Sequence, residues 1–394
     1  MKSNYKRLGD YIEEIKNRDT KETVDLLLGV SIRKEFIPSI ANIIGTDMST
    51  YKIVERNQFA YGTVTSRNGE KISIALLEDF DKAIVSQAYL TFKINDETEL
   101  LPEYLMMWFR RPEFDRYARF MSHGSAREIF SWEELCNTLM PIPDPNKQKE
   151  IVDEYNIIQN RIKLNETLIQ KLEETAQAIY KSWFVDFEFP NEERKPYKSS
   201  GGEMVWCEEL EKEIPKGWKM KKLSSLALLK YGKMLDSSLF KDKGYPVYSG
   251  YGVRGYFSEY MYKDPQILVL CRGVSGTGEV KLSPPYSYIT NLSIVVEVIK
   301  DKVRQMYLFY FLKNANLRSI DSGSAQSQIT TGDLYYQDVL LPLLDIQSSF
   351  EQIVLETSKN KFFYEQENKN LVELKSLILS KMSTKIINRK ESIC

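Results

Sequence analysis

Residues 148–183 read QKEIVDEYNIIQNRIKLNETLIQKLEETAQAIYKSW. Set out in sevens, Ile151, Ile158, Asn165, Leu172 and Ile179 fall on one seam, and Tyr155, Ile162, Ile169, Ala176 and Trp183 on the seam beside it. Gly and Pro are absent, charged residues take the outer positions, and one seam position, Asn165, is polar. This is the a/d pattern of a helix that packs along another helix. At 1.5 Å per residue it would run roughly 50–55 Å, longer than the width of a small domain, so it suits the separation of two bodies better than the filling of one. The spacing predicts one long helix that needs a partner, with a separate globular unit on either side.

The partner is visible in Gln347 to about Met382. Phe350, Val354, Tyr364, Leu371, Ile378 and Met382 hold a seam that Thr357, Lys361, Asn368 and Lys375 interrupt, and Leu374 points to a shift of register. The segments ahead of the helices also match. SHGSAREIFSWEELCNTLMPIPDPNKQ, from Ser122, resembles SGSAQSQITTGDLYYQDVLLPLLDIQ, from Ser322; Gly124, Ser125 and Ala126 align with Gly323, Ser324 and Ala325, Ile129 with Ile329, Leu135 with Leu334, Pro141 with Pro342 and Gln148 with Gln347. The chain is a tandem duplication of globular unit then helix. Its period is too long for a solenoid, and two copies suggest a pseudo-twofold object.

Of 394 residues, 42% are hydrophobic and 28% charged, enough for two cored domains plus the helices. Cys136, Cys207, Cys271 and Cys394 show no CxxC spacing, so neither a zinc site nor a disulfide framework is indicated, which fits a reducing cytoplasm. The N-terminal MKSNYKRLGDYIEEIKNRD has no apolar core for a signal peptide, and no run approaches a membrane span. The formal net charge of −1 is not that of a free-standing nucleic-acid binder, so any positive surface must be local or lent by a partner.

Along residues 1–146, Tyr51–Phe59, Lys71–Leu77 and Ala88–Ile94 alternate like strands, and Leu101–Phe109 and Pro112–Phe120 read as helices. Polar stretches between the strands hold Arg56, Asn57, Gln58 and Tyr61, then Ser66, Arg67, Asn68 and Gly69. Arg suits guanine and Asn or Gln adenine in the major groove, although an ordinary solvated hairpin has the same composition. Helix 147–189 is followed by Pro- and Gly-broken, charged 190–216, which reads as a linker. The second unit, 217–345, carries strands at Pro246–Tyr248, Tyr256–Ser258, Ile267–Leu270, Glu279–Leu282 and Ser293–Val298, with Gly-rich loops at Tyr248–Arg254 and Arg272–Gly278; helix 346–387 closes the chain. The fold class is mixed α+β, with two small α/β units and two long helices.

Two enzyme motifs are tempting. ILVLC followed by GVSGTG, with SPPY at Ser283–Tyr286, resembles a methyltransferase pattern, but a strand follows the glycines at once where a cofactor loop must open a helix. Asp264 with Glu279 and Lys281 resembles the magnesium dyad and lysine of nucleases, a triplet that chance supplies readily in a charged chain. His123 has no counterpart in the second half.

GSAREIFSWEEL, KSWFVDFEFP (Lys181–Pro190), VYSGYGVRGYFSEY and ILVLCRGVSGTGEV resemble the specificity subunit of type I restriction-modification systems, and the resemblance covers essentially the whole chain. It implies two target-recognition domains, each reading one half of a bipartite site on double-stranded DNA, and two spacer helices paired antiparallel as an antiparallel coiled coil that sets half-site spacing. It implies a subunit without chemistry of its own, which brings two methyltransferase subunits, and in the full complex two motor and nuclease subunits, to the site. SAM, Mg and ATP would be bound by those partners only. DNA-facing residues would be Ser249, Arg254, Arg272, Ser275 and Thr277 in the second domain and Arg56, Asn57, Tyr61, Arg67 and Asn68 in the first. Partner surfaces would be the outward helix faces and Phe184–Phe189, whose apolar residues would serve equally as helix-end packing. A magnesium-dependent nuclease and a protein-binding coiled-coil scaffold are the competing readings.

Overall fold

The strand Phe59–Gly62 alternates its side chains between two layers: Phe59 and Tyr61 join one buried cluster, and Ala60 joins another. Its antiparallel neighbour Ile74–Leu76 does the same, with Ile74 and Leu76 on the first side and Ala75 on the second. Period-two alternation with both faces buried means that the sheet is covered on both sides. The computed structural model describes residues 5–20, 23–39, 47–66, 68–124, 127–273, 276–320 and 328–382. They divide into unit 1, Met1–Asn165 with Gln366–Cys394, and unit 2, Glu166–Glu365.

In unit 1 the covered sheet has the order Ile12–Ile15, Tyr89–Ile94, Phe59–Gly62, Ile74–Leu76, antiparallel throughout. Helices α1 (Pro102–Phe109) and α2 (Pro112–Phe120) cover one face, Pro occupying a first-turn position of each, where no N–H is needed. Phe59 stacks on Phe92 at 4.7 Å, and Phe109 meets Phe59 edge-on at 6.0 Å. The other face is covered by a second sheet in the order Phe36–Pro38, Leu27–Val30, Lys82–Val85, Lys52–Glu55, in which Leu27–Val30 and Lys82–Val85 run parallel. Short α3 (Trp132–Cys136), capped by Ser131, leads to α4 (Pro145–Tyr180).

Unit 2 repeats this plan. Its covered sheet has the order Ala227–Tyr231, Ser293–Val298, Ile267–Leu270, Val280–Leu282, and its second sheet the order Val253–Phe257, Tyr245–Tyr248, Tyr288–Ile289, the last pair again parallel. Ile267 and Val269 face the helical side, with α5 (Gln305–Asn314), and Leu268 faces the smaller sheet. Short α6 (Thr331–Tyr335), with a Thr330–Asp333 capping box, leads to α7 (Leu344–Lys381). The segment 190–216, read as a linker, is structured: Met204–Cys207 and Lys212–Pro215 form a hairpin whose Cys207 and Ile214 enter the unit 2 core.

Each globular unit is joined to its following helix in the same way. Gln148 is fully buried; its amide donates to the Glu99 and Pro143 carbonyls at 2.8 Å each, and its Oε1 accepts from the N–H of Leu101, the N-cap of α1, at 2.9 Å. Gln347, also fully buried, donates to the Pro342 carbonyl at 2.7 Å and accepts from the N–H of Arg304, the N-cap of α5, at 2.9 Å.

The helices pack antiparallel within each unit. In unit 1, Val152 and Tyr155 of α4 share a core with Leu379 of α7 and with Met382, while Ile151 and Ile378 pack beside it and Ile158 and Ile162 are buried. Asn165 is fully buried and donates to Glu367 Oε2 at 2.8 Å and Asn368 Oδ1 at 2.9 Å, its own Oδ1 having no partner among the described residues; Arg161 grips Glu367 with two bonds of 3.0 Å. In unit 2, Ala176, Tyr180, Phe350 and Val354 are buried together, Ile179 packs beside them, and Ile169 and Leu172 are half-buried. Two lysines that interrupt the second seam, like Asn368, have partners on α4, whereas the Thr357 hydroxyl donates to the Ile353 carbonyl of its own helix: Lys361 pairs with Glu173 at 3.2 Å, and Lys375 donates to Gln159 at 2.8 Å and lies 5.8 Å from the centre of the Tyr155 ring. Leu374 is 46% exposed, so the seam keeps its register through half-buried Leu371, Lys375 and Ile378.

Candidate nucleic-acid interface

In unit 2, Tyr231 pairs with Ile294 and Leu270 with Ser293, so these strand ends lie at one end of the covered sheet. The Arg272–Gly278 loop leaves from this end. The Ser249–Gly252 turn of the smaller sheet is fastened to the same end, because Ser293 Oγ donates to the Ser249 carbonyl at 2.9 Å and the Thr290 N–H to the Tyr248 carbonyl at 3.0 Å. Tyr251 bridges the two loops. Its hydroxyl donates to the Arg272 carbonyl at 2.7 Å, and the side chain covers Gly273 and Gly276, where a Cβ would come within 2.2 Å of the hydroxyl oxygen and 2.6 Å of the ring respectively. Burial, aided by Glu279, holds the Tyr251 phenol above its ordinary range, so the hydroxyl keeps the proton it donates. Arg254 and Arg272 are exposed, and among the described residues neither guanidinium is ion-paired.

Strand order gives the equivalent loops of unit 1. Phe59–Gly62 corresponds to Ile267–Leu270, and the next residue marks the match: the Phe130 N–H donates to the Thr63 carbonyl at 2.9 Å as the Ile329 N–H does to the Cys271 carbonyl at 3.0 Å, so buried Phe130, and not exposed Ile129, is the counterpart of Ile329. The loop 63–73 therefore stands where Arg272–Gly278 stands, and the turn 31–35, between Leu27–Val30 and Phe36–Pro38, stands where Ser249–Gly252 stands. These two loops are also tied. Lys34, left-handed at φ 66° and 5% exposed, lies 2.7 Å from Asp115 and donates to the Phe109 carbonyl, and Asp115 accepts from the Ile72 N–H at 3.1 Å. Burial pulls the Lys34 pKa down and Asp115 opposes the shift. Arg33 beside it is exposed.

The expected DNA-facing residues divide accordingly. Arg254 and Arg272 are exposed at the converging loops, whereas Ser249 and Thr277 are buried, their hydroxyls bonded to the Gly252 and Gly273 carbonyls at 3.4 and 2.7 Å, and act as loop fasteners. Tyr61 is a core residue whose buried hydroxyl has no partner among the described residues and whose pKa burial raises. Arg56 and Asn57 precede Phe59–Gly62, at the opposite strand end from the converging loops. Arg56 is held by Asp81 at 2.9 Å, and left-handed Asn57 donates to Glu97 at 3.1 Å. Asn68 lies in the 63–73 loop and donates to the Val64 carbonyl at 3.3 Å. Arg67 and Ser275 lie outside the described residues, as do Ser125, Ala126 and 321–327 of the repeated segment. Sequence reasoning missed Tyr251, Arg33 and Lys34; only the glycines around Tyr251 hinted at a close approach.

The nuclease reading fails on register. Ile267 faces Leu282 and the Leu270 N–H bonds the Glu279 carbonyl, so Asp264 and Glu279 sit at opposite ends of a strand pair, at least about 10 Å apart. Glu279 is ion-paired with Lys281 at 2.9 Å. Among the described residues no group of three His, Cys, Asp or Glu is placed to hold a metal ion, and no helix is long and apolar enough to cross a membrane. The Phe184–Phe189 segment is helix-end packing: Phe184, Phe187 and Phe189 are buried against Trp218. Exposed apolar residues do lie on the helices, Ile157 and Leu164 on α4 and Phe362 and Phe363 on α7.

Residues 215–374 match the family model described as Type I restriction modification DNA specificity domain. The type I restriction enzyme MjaIX specificity subunit of Methanocaldococcus jannaschii is 32% identical over 137 residues, 34% of this chain and 29% of that one. The HindI specificity subunit of Haemophilus influenzae is 21% identical across 87% of this chain and 89% of its own length. The crystal structure of the S subunit of a type I restriction-modification system from M. genitalium shares the fold, with a TM-score of 0.63 at 15% identity over 96% of this chain and 95% of that one. With two units that repeat one strand order and a long helix after each, the chain carries the type I restriction-modification DNA specificity domain over residues 215–374 and is similar along most of its length to type I specificity subunits.

Proposed function

We propose that the chain is the DNA-recognition subunit of a type I restriction-modification complex, each unit reading one half of a bipartite site on double-stranded DNA and neither performing chemistry. The observation that carries this reading is the convergence of two loops at one sheet end, with Arg254 and Arg272 exposed there and without an ion pair among the described residues, and the same topology in the other unit. A free guanidinium can address the O6 and N7 edge of guanine with two bonds. Because the loops of the two units differ, the half-sites differ and the site is not a palindrome. Two methyltransferase subunits dock on the outward helix faces, and two motor and nuclease subunits complete the assembly. SAM, Mg and ATP belong to those partners and none to this chain. The complex works in the cytoplasm, and with a net charge of only −1 on this chain its partners supply much of the phosphate contact.

The test begins with the native mass of whatever co-purifies with the chain from its own cells, followed by mapping of methylated sites. Two methyltransferase-sized partners and a bipartite methylated motif are expected; a lone 45.9 kDa species would overturn the partner assignment. One heptad inserted into both α4 and α7 adds about 10.5 Å and should lengthen the gap between half-sites by roughly three base pairs. An unchanged gap would sink the idea that helix length sets it.

A further inference from the structure

Any protein that reads bases from two loops must hold them in a fixed mutual frame, since a bidentate contact tolerates little displacement. Topologically equivalent loops are cross-tied in both units, by unrelated chemistry. In unit 2 the tie is neutral and half exposed: the Tyr251 hydroxyl reaches the Arg272 carbonyl at 2.7 Å, with the ring seated over Gly273 and Gly276. The turn that carries Tyr251 is itself pinned, because a Cβ on Gly250 would lie 2.6 Å from Leu270 and 2.7 Å from the Ser293 hydroxyl. In unit 1 the tie is ionic and buried: Lys34, from the equivalent turn, engages Asp115, which holds the backbone N–H of Ile72 at the far end of the equivalent loop. Lys34 also donates to the Phe109 carbonyl at the end of α1, so the turn is fixed to the helical layer as well.

We propose that Tyr251 and Lys34 are positioning residues that hold the two reading loops of each unit in one frame, and that each sets the base discrimination of its own half-site without touching a base. The proposal rests on the DNA-reading function above. It makes the Arg272 carbonyl, rather than its guanidinium, the point at which the Ser249–Gly252 turn controls the direction of that arginine. It also makes the two half-sites independently adjustable, since each tie lies within its own unit.

The test uses the full chain co-expressed with its own methyltransferase partners, and reads the ratio of methylation at the consensus site to that at sites with one substituted base, for each half-site separately. Three variants are compared: Tyr251→Phe, Asp115→Asn and Arg272→Ala, each checked by thermal melting. Asp115→Asn keeps an acceptor for Ile72 and Lys34 while removing the charge, which spares the fold more than loss of Lys34. Tyr251→Phe should lower discrimination at one half-site roughly tenfold with melting nearly unchanged, and Asp115→Asn should lower it at the other half-site only. If Arg272→Ala relaxes its half-site but Tyr251→Phe does not, the tie has no positioning role and the proposal falls while the DNA-reading function stands. If neither alters discrimination, the loop assignment itself is wrong and the proposal falls with it. Equal relaxation of both half-sites by Tyr251→Phe would also overturn it, since the tie would then act through the whole chain.

Discussion

Units 1 and 2 lay down equivalent strands in the same order and yet treat their polar loop residues oppositely. Arg272 stands clear of any carboxylate among the described residues, while Arg56, in a loop of similar composition, is bound to Asp81 at the other end of the equivalent strand. The loop ties differ just as sharply, a tyrosine hydroxyl in unit 2 against a buried lysine–aspartate pair in unit 1. The strand frame decides where loops emerge; within that constraint loop chemistry is free, and this is how a duplicated protein can read two different sequences.

That contrast can be broken by mutation. Lys34→Met strands Asp115 and should destabilise unit 1 by about 3–5 kcal/mol in urea unfolding, whereas Tyr251→Phe should cost unit 2 no more than about 1 kcal/mol. Equal losses would erase the distinction between an ionic, structural tie and a neutral one. The two glutamine joints sharpen what the units share. Gln148→Leu and Gln347→Leu should each cost about 1–3 kcal/mol, Gln148 the more because it satisfies one further carbonyl; a negligible loss at either would end the claim of a common joint. On the helices, Asn165→Ala should cost about 1–2 kcal/mol, while the double change of Asn165 and Asn368 to Leu should come close to neutral in a melting experiment. The smallest effect is acidic. Bonds from Arg161 first, and then Asn165, hold the Glu367 carboxyl below its ordinary range. Its contribution is therefore fully present above the unfolded carboxyl pKa of about 4.3 and is lost as pH falls through the folded value. Glu367→Gln should flatten that part of the acid melting curve.

Much of the fold was legible because helix and strand periods are local properties. The heptads of Gln148–Trp183, strand Ile267–Leu270 and helices α1 and α2 fall close to where the pattern put them. The site was less legible, because a polar residue's role depends on which strand end it leaves and what lies across from it. Arg56 and Arg272 look alike in sequence, and Ser249 looks like a donor until Ser293 and Gly252 are set beside it. Lys34 shows the limit most plainly: nothing in SIRKEF announces a lysine folded inward onto Asp115. Phe184–Phe189 drew attention as an apolar run outside the heptad seam, and its destination under Trp218 is a tertiary fact.

The seam of α7 holds one more consequence. The positions one heptad to either side of Asn368 are Lys361 and Lys375. Were α7 to slip by seven residues in either direction, a lysine would arrive opposite the buried amide of Asn165, and Lys361 would lose Glu173 or Lys375 would lose Gln159. The neighbouring misalignments are thus penalised from both sides, and the Asn165 oxygen, without a partner among the described residues, is the standing cost of a gauge with a single zero mark.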